Sequence, residues 1–175
     1  MIIARKDEVI IRELEKTDFS KLVEYADNEN VSINLRDAFP HPYTMDDAEK
    51  FFKMVQEQNP KTFFAIEYQG NYVGNISLSV GTDVYRNSAE LGYFNGESFW
   101  NKGITTKAVN MMTDFGFEKL NIVRIHTGVF EYNVASQRVL EKCGFQKEGI
   151  FRKAVTKNKK LYDEIRFAKI INSNQ

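Results

Sequence analysis

The sequence predicts an α+β domain, with helices and strands mixed along the chain, built on a mixed, mostly antiparallel β-sheet. Helices are indicated where apolar residues recur every three or four positions, as at Ile104, Ala108 and Met111. Strands are indicated where every second residue belongs to one face, as at Ile125, Thr127 and Val129. Two helices follow the first strand, and later strands are interrupted twice by a helix. Only the two strands joined by the helix at Ile104 should be parallel, because a helical crossover makes that connection easy.

The first third of the chain predicts one strand and two helices. Residues 9–11 form the strand, and Thr17 is the predicted N-cap of the first helix. A proline-punctuated loop covers residues 34–43, after which Thr44 and Asp47 match a capping box at the start of the second helix. The apolar faces of the two helices carry Phe19, Leu22, Val23 and Ala26, and Ala48, Phe51, Phe52 and Val55.

The rest of the chain predicts six strands and two helices. The turn of the first hairpin lies at residues 69–71, and Gly144 stops the last helix. The lysine-rich residues 157–160 form the tip of the final hairpin and are expected to be solvated, with attraction of an acidic substrate tail as the alternative. The 175 residues predict a single domain that covers residues 1–175. The predicted strands are 62–68, 72–80, 88–95, 122–130, 149–155 and 161–170, and the helices are 104–119 and 134–142.

The charge balance argues against one class of function. Twenty-four basic residues offset 24 acidic residues, so an obligate nucleic-acid binder is not expected. An anionic cofactor remains compatible with zero net charge, because backbone dipoles can bind phosphate. The N-terminus soon becomes charged and no segment is apolar enough to cross a bilayer, which predicts a cytoplasmic protein without a membrane partner.

The cysteine and the histidines indicate little chemistry of their own. Cys143 is the only cysteine, so an internal disulfide is impossible, and a small buried residue is favoured over a catalytic thiol. His41 and His126 are the only histidines and lack the spacing of a metal-ligand pair. No metal is therefore expected.

A loop with a glycine lies between a predicted strand and a predicted helix. Gly103 stands immediately before the helix that begins at Ile104. The N-terminus of a helix offers several unsatisfied backbone N–H groups and the positive end of the helix dipole. Together these features favour an anion such as a phosphate.

Four segments follow one another along the chain: residues 39–44 with 47–48, residues 91–93, residues 100–103 and residues 133–145. In this order they resemble the GNAT superfamily of acyl-coenzyme A N-acyltransferases, with the closest similarity to its ribosomal-protein N-acetyltransferase (RimJ/RimL-like) branch. The resemblance implies a GNAT-type sheet with helices on both faces and a V-shaped splay between two parallel strands. It also implies acetyl-coenzyme A as co-substrate, no metal, and acetyl transfer to a primary amine.

The loop departs from the pyrophosphate-binding pattern of the superfamily at two positions. Trp100 stands at the first position, as is common in this branch, and Gly103 is kept. Thr105 replaces a small residue, and its hydroxyl can donate to a phosphate. Lys107 stands where relatives often carry glutamate and adds positive charge near the anion. The cofactor-binding residues that the resemblance implies are Phe94, Asn95, Trp100, Asn101, Lys102, Gly103, Ile104, Thr105, Thr106, Asn133 and Ser136.

The resemblance also implies three catalytic residues. Asn133 contacts the pantetheine arm of the cofactor, although capping a helix is the ordinary role of Asn at such a position. Ser136 donates a hydrogen bond to the departing thiolate, since Leu140 occupies the place where many members carry a tyrosine. Glu90 is the candidate general base, and a solvated strand carboxylate is the competing interpretation. Val155 stands where some relatives carry a glutamate, so no base can be transferred from there.

The resemblance places the acceptor near Arg36, Asp37 and Tyr43, with Tyr162 and Asp163 as further candidates for orienting it. The predicted reaction is direct attack in a ternary complex, with a strand N–H near Phe94 or Asn95 stabilising the oxyanion. No covalent intermediate is needed, which fits the lack of a credible Cys–His pair.

The sequence does not choose between a protein N-terminus and a small-molecule amine as acceptor, or between a monomer and a homodimer. Two other classes of function remain open at this point. The chain can be a catalytically silent sensor of acetyl-coenzyme A, or an interaction domain that has lost the cofactor. An interaction domain without the cofactor is disfavoured, because the chain retains Gly103, Asn133 and Ser136.

Overall fold

The computed structural model describes residues 1–171, which form eight strands and five helices. The strands are β1 (Ile2–Lys6), β2 (Val9–Arg12), β3 (Phe63–Tyr68), β4 (Asn71–Val80), β5 (Ser88–Asn95), β6 (Arg124–Phe130), β7 (Gln146–Lys157) and β8 (Lys160–Ile170). The helices are α1 (Phe19–Ala26), α2 (Glu29–Ser32), α3 (Met45–Glu57), α4 (Ile104–Lys119) and α5 (Val134–Lys142). Single 3₁₀ turns cover Lys16–Asp18, Asp83–Tyr85 and Glu97–Phe99.

The strands form one sheet in the order β1-β2-β3-β4-β5-β6-β8-β7. Strands β5 and β6 are parallel over three residue pairs, from Ser88 with Arg124 to Glu90 with His126. The pairs β1–β2, β2–β3, β3–β4, β6–β8 and β7–β8 are antiparallel. The predicted fold class, a mixed and mostly antiparallel sheet with one parallel pair joined by the helix at Ile104, is therefore confirmed.

Three local predictions near the N-terminus differ from the structure. Strand β1 was not predicted; it forms because it pairs with β2 across a turn in which Asp7 has a φ of 54°. Helix α2 is a single turn that Asn28 caps by accepting from two backbone N–H groups. Thr17 is not the N-cap of α1, because Asp18 holds that position and Thr17 lies inside a 3₁₀ turn.

The described chain divides into two compact units, to both of which strands β4 and β5 contribute. The first comprises residues 1–77 and 93–111. Its core packs α1 and α3 against each other, with the rings of Phe19 and Phe52 in edge contact at 5.3 Å. Arg12 on β2 donates to both carboxylate oxygens of Asp18 at 2.8 Å and to Glu67 on β3 at 2.6 Å. This network holds the 3₁₀ turn that precedes α1 against strands β2 and β3.

The second unit comprises residues 78–92 and residues from 112 to the end of the described chain. Ile125, Thr127 and Val129 of β6 are buried, which confirms the predicted alternation along this strand. Gly116 on α4 allows close packing, since a Cβ there would approach side-chain carbons of Leu78 and Ile125 to 2.7 and 3.0 Å. The opposite face of β6 carries Arg124, His126 and Gly128, which are only half-buried.

The close approach of β4 to the end of β5 depends on Gly74. A Cβ at Gly74 would collide with the carbonyl oxygen of Phe94 and would lie 2.9 Å from the Cα of Asn95. Both obstacles are backbone atoms, so a side chain cannot be accommodated by a rotamer change. Gly74 therefore allows β4 to approach the last residues of β5.

We expect Gly74→Ala to lower the free energy of unfolding by about 1–3 kcal/mol or more, the usual range for overpacking. The matched control is Gly149→Ala, because a Cβ at Gly149 meets no heavy atom within 4 Å. Urea denaturation of both variants measures the difference through the transition midpoint. Equal midpoints for the two variants would contradict the close approach of these strands.

Candidate active site

The loop between β5 and α4 is held by hydrogen bonds to the end of β5. Trp100 is 39% exposed and donates from its indole Nε1 to the carbonyl oxygen of Asn95 at 3.0 Å. Gly96 donates its backbone N–H to the carbonyl of Val73 at 2.9 Å. The 3₁₀ turn Glu97–Phe99 lies between these two anchors. Trp100 thus contributes its polar edge to the base of the loop.

The side chain of Asn95 connects the strand to the helix. It is 5% exposed, and its Nδ2 donates to Oγ1 of Thr105 at 2.9 Å. Because Oγ1 of Thr105 accepts this bond, the hydroxyl proton of Thr105 can be donated elsewhere. Oδ1 of Asn95 is buried without a hydrogen-bond partner. A buried polar atom of this kind is uncommon and fits a contact with a bound molecule.

The start of α4 has the geometry that an anion requires. Asn101 and Gly103 adopt positive φ values of 61° and 73°, which turn the chain into the helix. A Cβ at Gly103 would meet no heavy atom within 4 Å, so the backbone there borders open space. Ile104 and Thr105 begin the helix, where backbone N–H groups lack partners within the helix itself. These residues fit a pyrophosphate.

The two lysines near this loop have different surroundings. The ammonium of Lys102 lies 5.2 Å from the centre of the Phe99 ring. Lys107, predicted to add positive charge near the anion, instead pairs with Asp7 at 2.7 Å. This hydrogen bond lowers the pKa of Asp7 from its ordinary value. The charge of Lys107 is therefore largely balanced within the protein.

In the second unit, Asn133 and Ser136 lie together at the start of α5. Oδ1 of Asn133 accepts from the backbone N–H of Ser136 at 3.1 Å, so Asn133 is the N-cap of this helix. The cap uses only the oxygen of the side-chain amide and leaves its NH₂ group for another role. Ser136 is half-buried in the first turn, and Leu140 one turn later is fully buried.

Glu90 lies on β5 directly opposite His126 of β6. Residues paired in register point to the same face of a sheet, so the two side chains are neighbours. His126 accepts a hydrogen bond at Nδ1 from Nη2 of Arg166 on β8, at 3.1 Å. Burial and the charge of Arg166 lower the pKa of His126, whereas the nearby carboxylate of Glu90 acts in the opposite direction.

The residues predicted to contact the acceptor have unequal access to solvent. Arg36 and Asp37 are exposed on the loop after α2. Tyr43 is only 3% exposed and stacks on Phe39 at 4.7 Å, and burial raises its pKa to about 12. Tyr43 is therefore a core residue of the first unit. It can affect an acceptor site only indirectly, through the residues that pack against it.

Two further candidates lie on β8. Tyr162 is half-buried with its ring against Tyr132 at 4.8 Å. Asp163 accepts from the backbone N–H of Lys153 at 2.8 Å, and Glu131 accepts from the backbone N–H of Asp163 at 2.9 Å. Lys153 lies where the register between β7 and β8 shifts, so Asp163 has a structural role there.

Sequence reasoning did not single out two groups of residues that the structure brings into view. His126 was considered only as a metal ligand, and Arg166 was not considered. Both line a cavity of about 580 Å³ on the second unit, together with Tyr85, Arg124, Glu148 and Phe151. Asn75 is buried, accepts from the Tyr72 hydroxyl at 3.1 Å, and has an Nδ2 without a partner. In the sequence, the only signal at these positions is an isolated polar residue within an otherwise apolar strand.

The remaining predictions concern single residues and absences. Cys143 is buried as predicted, and burial raises the pKa of its thiol. Lys157 is 7% exposed, so the predicted solvated hairpin tip begins after it. Within residues 1–171, no cluster of three or more His, Cys, Asp or Glu side chains could hold a metal ion. No helix in that range is both long and apolar enough to cross a membrane.

Comparison with known proteins identifies the family. A sequence model of the acetyltransferase (GNAT) domain matches residues 8–146. An uncharacterized N-acetyltransferase of Bacillus subtilis, YnaD, is 28% identical over 163 residues, which are 91% of this chain and 92% of that protein. The spermidine N(1)-acetyltransferase of Escherichia coli is 29% identical over 143 residues, covering 81% of this chain and 74% of that protein.

Solved structures agree with the fold of this family. The fold matches RimL, a ribosomal L7/L12 α-N-protein acetyltransferase in complex with coenzyme A, with a TM-score of 0.88. That match has 19% identity and covers 99% of this chain and 100% of that chain. The chain belongs to the GNAT family and is an acyl-coenzyme A-dependent N-acetyltransferase.

Proposed function

We propose that this protein transfers the acetyl group of acetyl-coenzyme A to a primary amine by direct attack within a ternary complex. The observation that carries the proposal is the start of α4, where Gly103 borders open space beside the first backbone N–H groups of the helix. Donors at the positive end of a helix dipole favour a diphosphate such as that of coenzyme A.

Two groups of residues would hold the cofactor. The loop of residues 100–106 binds the pyrophosphate, and the Thr105 hydroxyl donates to it. Asn95 supports that hydroxyl by donating to its oxygen. The NH₂ group of Asn133 binds the pantetheine arm while its oxygen caps α5. When bound, acetyl-coenzyme A supplies the thioester carbon that the amine attacks.

Three groups of the chain would carry the reaction. Glu90 removes a proton from the ammonium group of the acceptor, directly or through water, because only a neutral amine is nucleophilic. A backbone N–H near Phe94 or Asn95 stabilises the negative charge that develops on the carbonyl oxygen. The Ser136 hydroxyl donates a hydrogen bond to the thiolate as it leaves.

Two relatives suggest where a search for the acceptor should start. The relative from Escherichia coli is named for a polyamine, and RimL is named for a protein N-terminus. We propose an acceptor of one of these two kinds, either a small-molecule amine or a protein N-terminus. An assay of released thiol with a panel of polyamines, other small amines and N-terminal peptides tests the proposal. Binding of acetyl-coenzyme A without thiol release from any amine would instead favour a non-catalytic sensor.

We expect Gly103→Val to weaken binding of coenzyme A at least about tenfold, which corresponds to about 1.4 kcal/mol. The added side chain would occupy the space that the pyrophosphate needs. The matched control is Gly70→Val, since Gly70 also has a positive φ and open space but lies in the β3–β4 turn. Isothermal titration calorimetry of both folded variants measures the difference. Equal affinity in the two variants would remove the loop from the cofactor site.

We expect Ser136→Ala to lower kcat by up to about a hundredfold, the lower range for a positioned proton donor. The substitution keeps the backbone N–H that Asn133 caps, so the helix and the affinity for coenzyme A should change little. Steady-state kinetics with an accepted amine, combined with calorimetry, measures both quantities. An unchanged kcat would mean that water or another group protonates the thiolate.

We expect Glu90→Gln to reduce the rate most strongly near neutral pH and to regain part of it at alkaline pH. The reason is that a larger fraction of the free amine is then already deprotonated. Glu118→Gln is the control, because it removes an exposed carboxylate of the second unit. A pH–rate profile of each variant is the measurement. A uniform loss at all pH values would limit Glu90 to positioning, and no loss would make it a surface carboxylate.

A further inference from the structure

Four polar side chains lie in a row on the half-buried face of the second unit. Glu164 and Arg166 alternate along β8, His126 lies on β6, and Glu90 lies on β5. Arg166 donates from Nη1 to Glu164 at 3.0 Å and from Nη2 to Nδ1 of His126 at 3.1 Å. Each member of the row therefore lies next to the following one, and the row ends at the proposed general base.

Gly128 makes room for this row. It is paired in register with Arg166 on β8. A Cβ at Gly128 would collide with the Glu164 carboxylate and would lie 2.7 Å from Nη1 of Arg166. The side chains of Arg166 and Glu164 thus lie across the sheet surface at that point, and Arg166 is directed toward His126.

The contact with Arg166 decides which nitrogen of His126 carries the proton. A guanidinium group has only N–H donors and no acceptor. Nδ1 of His126 must therefore present its lone pair to Arg166, which places the proton of the neutral imidazole on Nε2. Protonation of Nδ1 would bring two N–H groups against each other, so the contact also disfavours the imidazolium form.

Charged groups surround His126 from every strand packed against it. Glu90 approaches from β5, Arg124 lies on β6 itself, Glu148 lies on β7, and Arg166 lies on β8. Arg124 is paired with Glu148, and Arg166 is paired with Glu164, so these four charges balance in pairs. The carboxylate of Glu90 is the acidic neighbour of the imidazole on its β5 side and raises the pKa of His126.

We infer that His126 is a positioning residue for Glu90: Arg166 fixes the imidazole with its proton on Nε2, and this N–H donates to the Glu90 carboxylate. The inference rests on the proposed role of Glu90 as general base. His126 is not itself the base, because its only lone pair is used by Arg166. Its function is to hold the carboxylate in one orientation.

The tautomer can be measured without any substrate. The chain contains two histidines, so His41→Asn assigns the imidazole signals of His126 in a two-bond ¹H–¹⁵N correlation spectrum. We expect the Nε2–H tautomer in the parent protein and a mixture of tautomers in Arg166→Gln. The matched control is Arg124→Gln, which removes a neighbouring positive charge but keeps the Nδ1 contact. A dominant Nδ1–H tautomer, or an unchanged tautomer in Arg166→Gln, would overturn the inference.

The same spectra test the contact with Glu90. Both arginine variants should raise the pKa of His126, because each removes a positive charge that lowers it. Glu90→Gln should lower that pKa, because it removes the adjacent carboxylate. No change of the His126 pKa in Glu90→Gln would show that the two side chains do not interact, and the inference would fail.

Kinetics test the effect on the reaction. We expect His126→Leu to lower kcat about five- to tenfold, the effect of one lost hydrogen bond. His126→Gln should restore most of kcat, because its amide can replace the Nε2–H donor. In a Glu90→Gln background, His126→Leu should have no further effect, since the histidine acts through Glu90.

The outcomes separate this inference from the proposed function. If Glu90→Gln shows the alkaline recovery described above but His126→Leu leaves kcat unchanged, Glu90 remains the base and only the role of His126 is wrong. If no amine is acetylated, the proposed reaction fails, and the spectra alone decide whether Arg166 and Glu90 hold the imidazole. A ¹H–¹⁵N amide spectrum of each variant verifies that it is folded.

Discussion

The short parallel pairing between β5 and β6 is the constraint on which the candidate site depends. It covers three residue pairs and ends at Glu90 and His126. Parallel strands cannot be joined by a tight turn, so the pairing requires the crossover through α4. That crossover places a helix N-terminus shortly after the end of β5, where Asn95 donates to Thr105 and Trp100 donates back to Asn95. The proposed anion site and the pairing of Glu90 with His126 thus have one topological origin.

Charged side chains in both units are paired, and a largely buried network joins Arg12 to Asp18 and Glu67. Lys107 pairs with Asp7 and Arg124 with Glu148, and these two pairs are more exposed. Removing one partner of a buried pair costs more than the pair contributes, because a charge is left without compensation. Arg12 is therefore constrained to a structural role.

In contrast to these pairs, some buried polar atoms lack a hydrogen-bond partner. In the first unit, Oδ1 of Asn95 and Nδ2 of Asn75 are buried without partners. Native proteins contain few such atoms, since each carries a desolvation cost that nothing within the protein offsets. Asn95 adjoins the loop that the anion would contact, so a bound molecule or an ordered water there would offset this cost.

Elements with strong local patterns could be predicted from the sequence, and elements that depend on distant partners could not. The structure places β5 at Ser88–Asn95, α4 at Ile104–Lys119 and α5 at Val134–Lys142, as predicted, because their periodicity and caps are local. Strand β1 carries mostly exposed side chains and has no pattern of its own; its pairing with β2 creates it. The sequence predicts Thr17 as the N-cap of α1, but Asp18 holds that position in the structure. The carboxylate of Asp18 accepts hydrogen bonds from Arg12 and from the backbone N–H of Glu15.

The contacts of the candidate site also differ in whether they could be predicted from the sequence. Asn133 and Ser136 are three residues apart, so their contact follows from helix geometry and could be predicted. Arg166 and His126 are 40 residues apart, and their contact depends on the register between β6 and β8 and on the missing side chain of Gly128. The sequence shows that residue 126 is a histidine but not which groups its ring contacts. Arg166 can only donate a hydrogen bond, so its contact with Nδ1 places the proton of the neutral ring on Nε2. For this reason we infer that His126 donates a hydrogen bond to the proposed base and is not itself the base.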